Sequence, residues 1–459
     1  MNRSADRTAE ETDVRFHLHG FTDPEEHERR GPVIMERGRG IYLYDRDGRR
    51  YLDAMSSLWC CTLGYDDRTL IEAAYRQMRR LPYSHTFRGR SSTVSTELSE
   101  KLVCMAPFAM SKVFFACSGS EANESAIKLA WNYHRANGHG ARTKILVHSG
   151  GYHGSTIFAS VLSGLPTGPS RAVPGIADIV VLDRPHHFAN AEPDEDEEAF
   201  ASRLARRLEE TILREGPESI AALIAEPVMG VGGVVVPPRT YFEKIVAVLK
   251  RFGILVIADE VICGFGRTGN MFGSETVNMA PDIMTLAKGI SSSYFPISAV
   301  LVSEPIYRAL LDAKGDREGD FRHGFTNSGH PVGAAVALAA IAELDERNIL
   351  ENVRVSGARL QEGLRRLSSR PCVAEVRGVG LMAAVQFRSE DAGRRCGAGA
   401  ESVGRQVTHL AETEMLFVRA VGDTVVLAPP LIIAPAEIDA LIERFTRAVD
   451  ALEDSPACQ

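Results

Sequence analysis

The sequence lacks the cysteine and histidine patterns that mark disulfide-rich and metal-binding proteins. Eight cysteines are scattered over 459 residues, no C-x-x-C motif occurs, and Cys60-Cys61 is the only close pair. This low count argues against a disulfide framework. His17 and His19, or His186 and His187, could be imagined as metal ligands, but no third ligand converges on either pair in the sequence. We therefore expect no bound metal.

Long apolar runs and an excess of positive charge are also missing. No window approaches the ~20 consecutive apolar residues that a membrane-spanning helix needs. Residues 1–23 are polar and charged, without the apolar stretch of a signal peptide. The formal net charge of −8 argues against nucleic acid or an anionic membrane as a partner. We expect a cytoplasmic protein.

The pattern that is present is an alternation of short strands and helices. Apolar runs of strand length occur at 113–116, 144–147, 179–182, 220–224 and 254–258, with helical periodicity at 121–137, 197–214 and 240–251. A hairpin is predicted around the turn Asp47-Gly48. After Pro331 an Ala-rich helix leads into a C-terminal α+β region. The alternation predicts an α/β protein with a mainly parallel sheet.

Lys288 stands in a small, weakly polar stretch, residues 285–291, and the preceding apolar run 254–258 ends in Asp259. A partly desolvated lysine amine can form a Schiff base, and an aspartate can keep a heterocyclic nitrogen protonated. The alternative is a surface lysine beside a helix-capping acid, since most lysines are exposed.

Three glycine-containing segments follow predicted strands. Residues 117–123 place Ser118 and Ser120 at a helix start, where free N–H groups can hold a phosphate, although Ser118 with Glu121 also fits a simple capping box. Gly150–Gly154 flanks an aromatic residue that can lie on a ring, or is an ordinary turn. Gly264–Gly269 matches G-x-G-x-x-G, but no helix is predicted after it, which argues against a dinucleotide-binding dehydrogenase.

Together these segments resemble one family, the pyridoxal-phosphate-dependent class III aminotransferases, and within it the ω-amino acid:pyruvate and amine:pyruvate transaminases. The resemblance runs from about Phe21 to Glu453. It rests on the ordered motifs at 118–123, 152–154, 226–227, 259–269, 287–289 and 323–331. It implies PLP fold type I, with a large domain around a mainly parallel seven-stranded sheet and a smaller α+β domain built from the N- and C-terminal segments.

The resemblance implies a role for each cofactor-binding residue. Lys288 forms the Schiff base with pyridoxal 5′-phosphate and later moves a proton, and Asp259 pairs with the pyridinium nitrogen. Tyr152 and Val261 cover the two ring faces. The other implied positions are Ser118, Gly119, Ser120, His153, Glu226 and, reaching in from a second subunit, Phe325 and Thr326. Each site therefore needs a homodimer, and dimers that pair into tetramers are possible.

The resemblance also implies how substrates bind. Arg419 would swing in to clamp a carboxylate and out to admit an apolar amine, pairing with Glu226; a structural salt bridge is the alternative for Arg419. An aromatic-lined pocket favours amines with an apolar body, although Trp59 could instead be a core residue. The implied pocket positions are Leu58, Trp59, Phe87, Arg88, Tyr152 and Arg419.

Some pocket positions depart from the family pattern. Ser84-His85 replaces a common aromatic–Asn pair, and Arg88 and Asn327 stand where aromatic residues are usual. Arg88 is either solvated at the entrance or recruits a second anionic group of a substrate. These departures leave the amine donor open.

The resemblance predicts four segments: a disordered or arm-like lead at 1–20, the first part of the small domain at 21–75, the large cofactor-binding domain at 76–335 and the rest of the small domain at 336–459. The expected reaction moves an amino group from a primary amine or ω-amino acid to a keto acid, pyruvate in the first place, giving L-alanine. A sister activity, such as diaminopelargonate or 4-aminobutyrate aminotransferase, is the alternative.

Overall fold

A seven-stranded mixed sheet forms the centre of the molecule. The computed structural model describes residues 7–164, 179–312, 321–388 and 401–454, so Cys396, Cys458 and the first six residues of the predicted lead lie outside the described ranges. The strands are β1 Met35–Arg39, β2 Tyr42–Asp45, β3 Arg50–Asp53, β4 Met110–Ala116, β5 Lys144–His148, β6 Ile179–Leu182, β7 Ile220–Ala225, β8 Leu255–Asp259, β9 Ile283–Leu286, β10 Ser298–Ser303, β11 Val373–Val379, β12 Met382–Phe387, β13 Leu416–Phe417, β14 Arg419–Val421 and β15 Thr424–Leu427.

The central sheet has the order β4-β10-β9-β8-β7-β5-β6. Only the pairings of β10 with β4 and with β9 are antiparallel, whereas the other neighbours are parallel. Every residue of β7, β8 and β9 is buried, which is typical of strands covered by helices on both faces. The predicted mainly parallel sheet is confirmed.

Helices cover both faces of the sheet and build the outer parts of the chain. Several begin at a side-chain cap, for example Asp67, Ser92 and Asp196, which accept hydrogen bonds from the free N–H groups of the first turn. The helices are α1 Ala9–Phe16, α2 Pro24–Arg30, α3 Ser56–Trp59, α4 Arg68–Arg80, α5 Thr93–Met105, α6 Gly119–Ala136, α7 Ile157–Leu162, α8 His187–Asn190, α9 Glu197–Glu215, α10 Tyr241–Arg251, α11 Gly273–Thr276, α12 Glu304–Asp312, α13 Pro331–Glu346, α14 Ile349–Arg365, α15 Val403–Thr413 and α16 Pro435–Glu453.

Alternation along the strands divides the apolar core in two. In β8, Ile257 packs with α6 residues such as Ala126, whereas Val256 and Ala258 pack on the opposite face. Because side chains alternate along a strand, Asp259 at the end of β8 shares the face of Ile257. The strand thus directs this carboxylate towards the side covered by α6.

Two smaller sheets lie outside the central sheet, and one of them joins N- and C-terminal segments. β1, β2 and β3 form the predicted hairpin region and are joined by β13, which runs parallel to β3 with Leu416 opposite Leu52. A second sheet has the order β11-β12-β15-β14. The expected smaller α+β part, built from N- and C-terminal segments, is therefore present.

The lead, expected to be disordered or arm-like, contains the helix α1. Thr8 and Glu11 form a reciprocal capping box at its start, which satisfies two N–H groups that the first turn would leave unpaired. None of the helices within the described ranges has the length and apolar content that crossing a bilayer requires.

Candidate active site

A cavity of about 340 Å³ lies at the carboxyl ends of the central strands. Tyr152 follows β5, Glu226 follows β7, Asp259 ends β8, and Lys288 comes two residues after β9. Loops at this edge of a parallel sheet converge, so residues far apart in sequence reach one place. We call Lys288, Asp259 and the residues bonded to Asp259 the floor of the cavity.

Lys288 lines this cavity and is partly buried, with its backbone in the left-handed region at φ 45°. Burial lowers the pKa of its amine, opposed by the negative charges of Asp259 and Cys60. A lowered pKa raises the share of neutral, nucleophilic amine. The alternative of a lysine on the outer surface is therefore wrong.

Asp259 is held by three hydrogen bonds. His153 Nδ1 and Asn123 Nδ2 each donate to its Oδ2 at 2.7 Å, and the Val261 N–H donates to Oδ1 at 3.1 Å. Thr285 Oγ1 in turn donates to Asn123 Oδ1 at 2.7 Å. These partners hold a buried carboxylate in one orientation. The sequence interpretation assigned no role to Asn123, although it stands inside the 118–123 motif.

The start of α6 forms a cradle of small residues. Ser118 caps the helix by accepting from the Glu121 N–H at 3.2 Å, and Ser120 Oγ accepts from the Ser155 N–H at 3.0 Å. A Cβ at Gly119 would lie 2.9 Å from Val261, so glycine permits that close approach. The predicted capping box is only half present, because the Glu121 carboxylate accepts from the Cys117 N–H rather than from that of Ser118.

Glu226 is buried, and backbone donors satisfy its carboxylate. The Tyr152 N–H donates to Oε1 at 3.0 Å and the Gly230 N–H to Oε2 at 2.9 Å. Burial raises the pKa of Glu226 to about 7. Among the described residues no ion pair joins Glu226 to Arg419, and the hydrogen-bond donors to the Glu226 carboxylate are backbone N–H groups.

A wider depression opens above Lys288 and Tyr152, and we call it the mouth. It is lined by Leu58, Trp59, Arg419 and the segment 20–33. Burial lowers the pKa of the Arg419 guanidinium, opposed by Tyr152. Within the described part of the chain no carboxylate forms an ion pair with Arg419, so its structural salt-bridge alternative is not supported. Trp59 is only 2% exposed, so it both lines the mouth and packs in the core.

Four other implied residues do not line this cavity in their own chain. Phe87 and Arg88 are exposed, and Phe87 packs against Gly324. Nearby, Tyr83 donates its hydroxyl hydrogen to the Thr326 carbonyl at 2.7 Å. The segments 83–88 and 323–328, which includes Phe325, therefore form one surface patch away from Lys288. Their expected contribution to a second subunit's site stays a prediction.

The G-x-G-x-x-G segment has a structural role. Arg267 within it is buried and donates to the carbonyls of Leu381 at 3.0 Å and Pro429 at 2.6 Å, and to Ser56 Oγ at 3.0 Å. It thereby ties the central part of the chain to the N- and C-terminal segments. Only the four-residue helix α11 follows, rather than the long helix of a dinucleotide site.

Comparison with known proteins decides the family. The family model "Aminotransferase class-III" matches residues 24–449. The chain belongs to the class III aminotransferases. The structure accordingly has PLP fold type I, and the enzyme is a transaminase that uses pyridoxal 5′-phosphate.

The similar proteins are named either gamma-aminobutyrate transaminases or ω-transaminases. Gamma-aminobutyrate transaminase 1, mitochondrial, from Oryza sativa subsp. japonica is 43% identical over 427 residues, 93% of this chain and 83% of that protein. The ω-transaminase of Pseudomonas jessenii in complex with PMP is 45% identical, with a TM-score of 0.92 over 97% of this chain and 98% of that one. A thermostable ω-transaminase variant engineered for bulky amines, with a tryptophan, a phenylalanine and an arginine replaced, is 44% identical, with a TM-score of 0.93 over 97% and 99%.

The cavity fits the cofactor of this family. An amine with a lowered pKa, a buried carboxylate and a glycine-lined helix start lie around one space. Lys288, Asp259 and the cradle at 118–120 would hold its carbonyl carbon, ring nitrogen and phosphate respectively. Bound there, the cofactor supplies an electron sink that weakens a C–H bond beside the substrate nitrogen.

Proposed function

We propose that this aminotransferase moves an amino group from a primary amine or ω-amino acid to a keto acid, pyruvate in the first place. The donor leaves as an aldehyde or ketone, and pyruvate becomes L-alanine. The proposal rests on the class III family and on the mouth, where an apolar side chain and a cation face the same space. Both kinds of substrate must bind there in turn.

The main support for this proposal is the environment of Arg419. Its guanidinium is partly buried beside Lys288 and Tyr152 and has no carboxylate partner among the described residues. A desolvated cation of this kind favours a carboxylate that arrives with a substrate, and a guanidinium can bind it through two parallel hydrogen bonds. An amine without a carboxylate would instead occupy the apolar side near Trp59.

We assign a separate role in the reaction to Lys288, Asp259 and Glu226. To the Lys288 amine we assign the transfer of a proton from the substrate carbon to the carbon on the other side of the substrate nitrogen. Asp259, held by His153 and Asn123, keeps a negative charge against the ring nitrogen. Glu226 braces the backbone of Tyr152 and so orients the ring that covers the reacting atoms.

We further propose that the active form is a homodimer. Phe87, Arg88, Phe325 and Thr326 lie on one surface patch outside their own cavity. Tyr83 and Phe87 of this patch are 42% and 40% exposed although both are aromatic, and contiguous aromatic surface favours burial against another protein. In a symmetric dimer this patch would complete the site of the second subunit.

A 4-aminobutyrate transaminase activity is the second candidate, favoured by the names of the similar plant enzymes. 4-Aminobutyrate is itself an ω-amino acid, so the two proposals differ in the range of donors rather than in chemistry. Its carboxylate would bind Arg419 with the amine directed at the floor.

A matrix of donors and acceptors tests both proposals. Purified enzyme is assayed with 4-aminobutyrate, a longer ω-amino acid, a diamine and 1-phenylethylamine, each against pyruvate and 2-oxoglutarate. We expect turnover of the carboxylate-free amines with pyruvate. Turnover of 4-aminobutyrate alone would replace the broad proposal with the narrow one, and activity only with 2-oxoglutarate would overturn the pyruvate assignment.

A further inference from the structure

Three histidines and one aspartate converge in the N-terminal segment, outside the cavity floor. Asp13 lies on α1, His17 and His19 directly follow that helix, and His27 lies on α2. His17 Nδ1 is 3.1 Å from Asp13 Oδ2. His19 Nε2 and His27 Nε2 lie 2.8 and 3.1 Å from the other oxygen, Oδ1. The sequence offered no third ligand for His17 and His19, but the fold supplies two.

The local backbone explains why these side chains meet. Asp13 and His17 are four residues apart, and such positions are neighbours on a helix face. His17 ends the helix in an extended conformation, so His19, two residues on, points to the same side while Leu18 points away and is 86% exposed. A turn at residues 20–21 then brings α2 back, with His27 in its last helical turn.

The four groups form a donor set suited to a cation. The imidazoles are close, with ring centroids 4.2 Å apart for His17 and His19 and 4.4 Å for His19 and His27. Protonated rings would repel one another at this spacing, whereas neutral rings offer lone pairs. His27 Nε2 is buried and lies 3.1 Å from Asp13 Oδ1, but it makes no hydrogen bond among the described residues. A buried nitrogen without a hydrogen bond is uncommon and is explained if it serves as a ligand.

The cluster also differs from an ordinary ion-pair network, as a second group nearby shows. Glu26, Glu401 and His409 lie together too, but Arg30 Nη1 is 2.5 Å from His409 Nδ1 and Arg405 pairs with Glu26. Guanidinium groups already supply the positive charge there. Among the residues that the structure describes, the ion-pair partners of Asp13 are His17, His19 and His27, with no arginine or lysine.

We propose that Asp13, His17, His19 and His27 form a binding site for one divalent transition-metal ion of the Zn²⁺ class. Three imidazole nitrogens and one carboxylate oxygen are ligands that Zn²⁺ accepts in a tetrahedral arrangement. Bonds of about 2.0–2.1 Å to such ligands place neighbouring donor atoms roughly 3.3 Å apart. The ligand atoms of Asp13, His17 and His19 all lie within 4.8 Å of one another, so these three form the core of the site. His27 Nε2, 3.1 Å from Asp13 Oδ1, would complete it after a movement towards the other two histidines.

The proposed metal site lies beside the substrate entrance. His27 and the segment 20–23 line the mouth together with Trp59 and Arg419. A metal ion bound by groups on α1 and α2 would therefore fix the segment between them, which forms one wall of the substrate entrance. Without the ion, the contacts of the three imidazoles with Asp13 and the ion pair between Arg46 and Glu10 at 3.0 Å hold α1 in place.

The zinc content of the protein tests the proposal without an activity assay. Chelator-treated holoenzyme is incubated with Zn²⁺, desalted and analysed for zinc, and its affinity is measured by competition with a chromophoric indicator. We expect one tightly held Zn²⁺ per chain, with tight binding lost in His17→Asn and in His19→Asn. His17 is 63% exposed, so its replacement leaves the fold intact, which an unchanged Tm in the absence of zinc verifies.

His409→Asn, in the arginine-paired cluster, is the matched control and should bind zinc like the unmodified protein. Limited trypsin digestion gives a second readout, because Arg15 lies between the ligands Asp13 and His17: Zn²⁺ should slow cleavage there in the control but not in His19→Asn. Absence of tight zinc binding, or undiminished binding and protection in both ligand variants, would overturn the proposal. Neither outcome depends on which amine the enzyme deaminates.

Discussion

The floor and the mouth of the cavity differ in how completely one chain organises them. At the floor, Asp259 receives three hydrogen bonds and its partner Asn123 is itself held by Thr285. At the mouth, Leu58 is 58% exposed, Arg419 has no ion-pair partner among the described residues, and residues 20–33 form part of the wall.

This difference separates the reaction from the choice of substrate. Groups that must keep one position through every turnover lie on strand ends and are held by buried bonds, which keeps them preorganised. Groups that must accept a carboxylate in one half-reaction and an apolar amine in the other are left with fewer constraints. Changes at the floor should therefore affect all substrates equally, and changes at the mouth should discriminate between them.

Lys288→Ala should have the largest effect. Loss of the amine removes both the attachment point and the proton carrier, and general acid–base catalysis alone contributes roughly 10²–10⁴-fold. Turnover should fall by at least that factor for every donor, measured as the change in the cofactor's visible spectrum on adding amine. Lys144→Ala, which breaks a distant pair with Glu215, serves as the control. Unchanged turnover in Lys288→Ala would refute the catalytic assignment.

Asp259→Asn should have the next largest effect, again equal for all substrates. A hydrogen bond to a charged group contributes about 1.5–3 kcal/mol, which corresponds to roughly 10- to 150-fold in rate. Single-turnover rates and cofactor affinity both check this. Asp282→Asn, which alters another carboxylate of the same sheet that accepts from the Val256 N–H, should leave both unchanged. A loss confined to one class of donor would contradict a floor role for Asp259.

Trp59→Leu should instead discriminate between donors. Removing an indole from the mouth opens space, and a change of pocket size by one small group is worth roughly 10–200-fold in selectivity. We expect kcat/KM for bulky aryl amines to rise about tenfold relative to that for a small aliphatic amine. Trp131→Leu is the matched control, because Trp131 lies in the second half of α6, lines neither the cavity nor the mouth, and donates to the Thr143 carbonyl. Equal changes in kcat/KM for both amines would show that Trp59 does not select between donors.

Glu226→Gln should have the smallest effect, visible in the pH dependence of stability. The folded protein raises the pKa of Glu226 to about 7 from its usual 4.5, so between these values the folded state binds more protons than the unfolded state. Stability linked to Glu226 is therefore greatest at low pH and is lost as pH rises towards 7. Denaturant titrations at pH 5 and 7 should show a smaller decrease in the variant. An unchanged decrease would exclude this linkage.

The sequence predicted the parts of the molecule that depend on local pattern. Periodicity located the strands β4 to β8 and three helices of the central domain, because buried strands and amphipathic helices leave regular apolar spacing. Neither β9 nor β10 was predicted from the pattern, although β10 is the strand that makes the sheet mixed. Its pairing with β4 and β9 depends on contacts between distant segments, which a single strand pattern does not contain.

In the cavity, too, contacts between distant segments were not predicted. Lys288, Asp259 and the 118–120 cradle were predicted from motifs. The hydrogen bond from Asn123 to Asp259 and the two backbone N–H donors to Glu226 became visible only in the structure. The N-terminal lead was expected to be disordered or arm-like, and only the fold shows that α1 and α2 bring three histidines to Asp13. Spacing along the chain does not reveal which turns close on one another.

The difference between floor and mouth is tested most directly by measuring the rates of the two half-reactions in Arg419→Ala. The variant should react with pyruvate roughly 10- to 150-fold more slowly, because a charge-assisted contact of about 1.5–3 kcal/mol is lost. Its reaction with 1-phenylethylamine, which has no carboxylate, should stay within about threefold of the unmodified enzyme, since it loses no such contact. Arg419→Lys, which keeps the charge without the planar fork, should be intermediate with pyruvate. Equal losses in both half-reactions would contradict the account, because Arg419 would then belong with the floor.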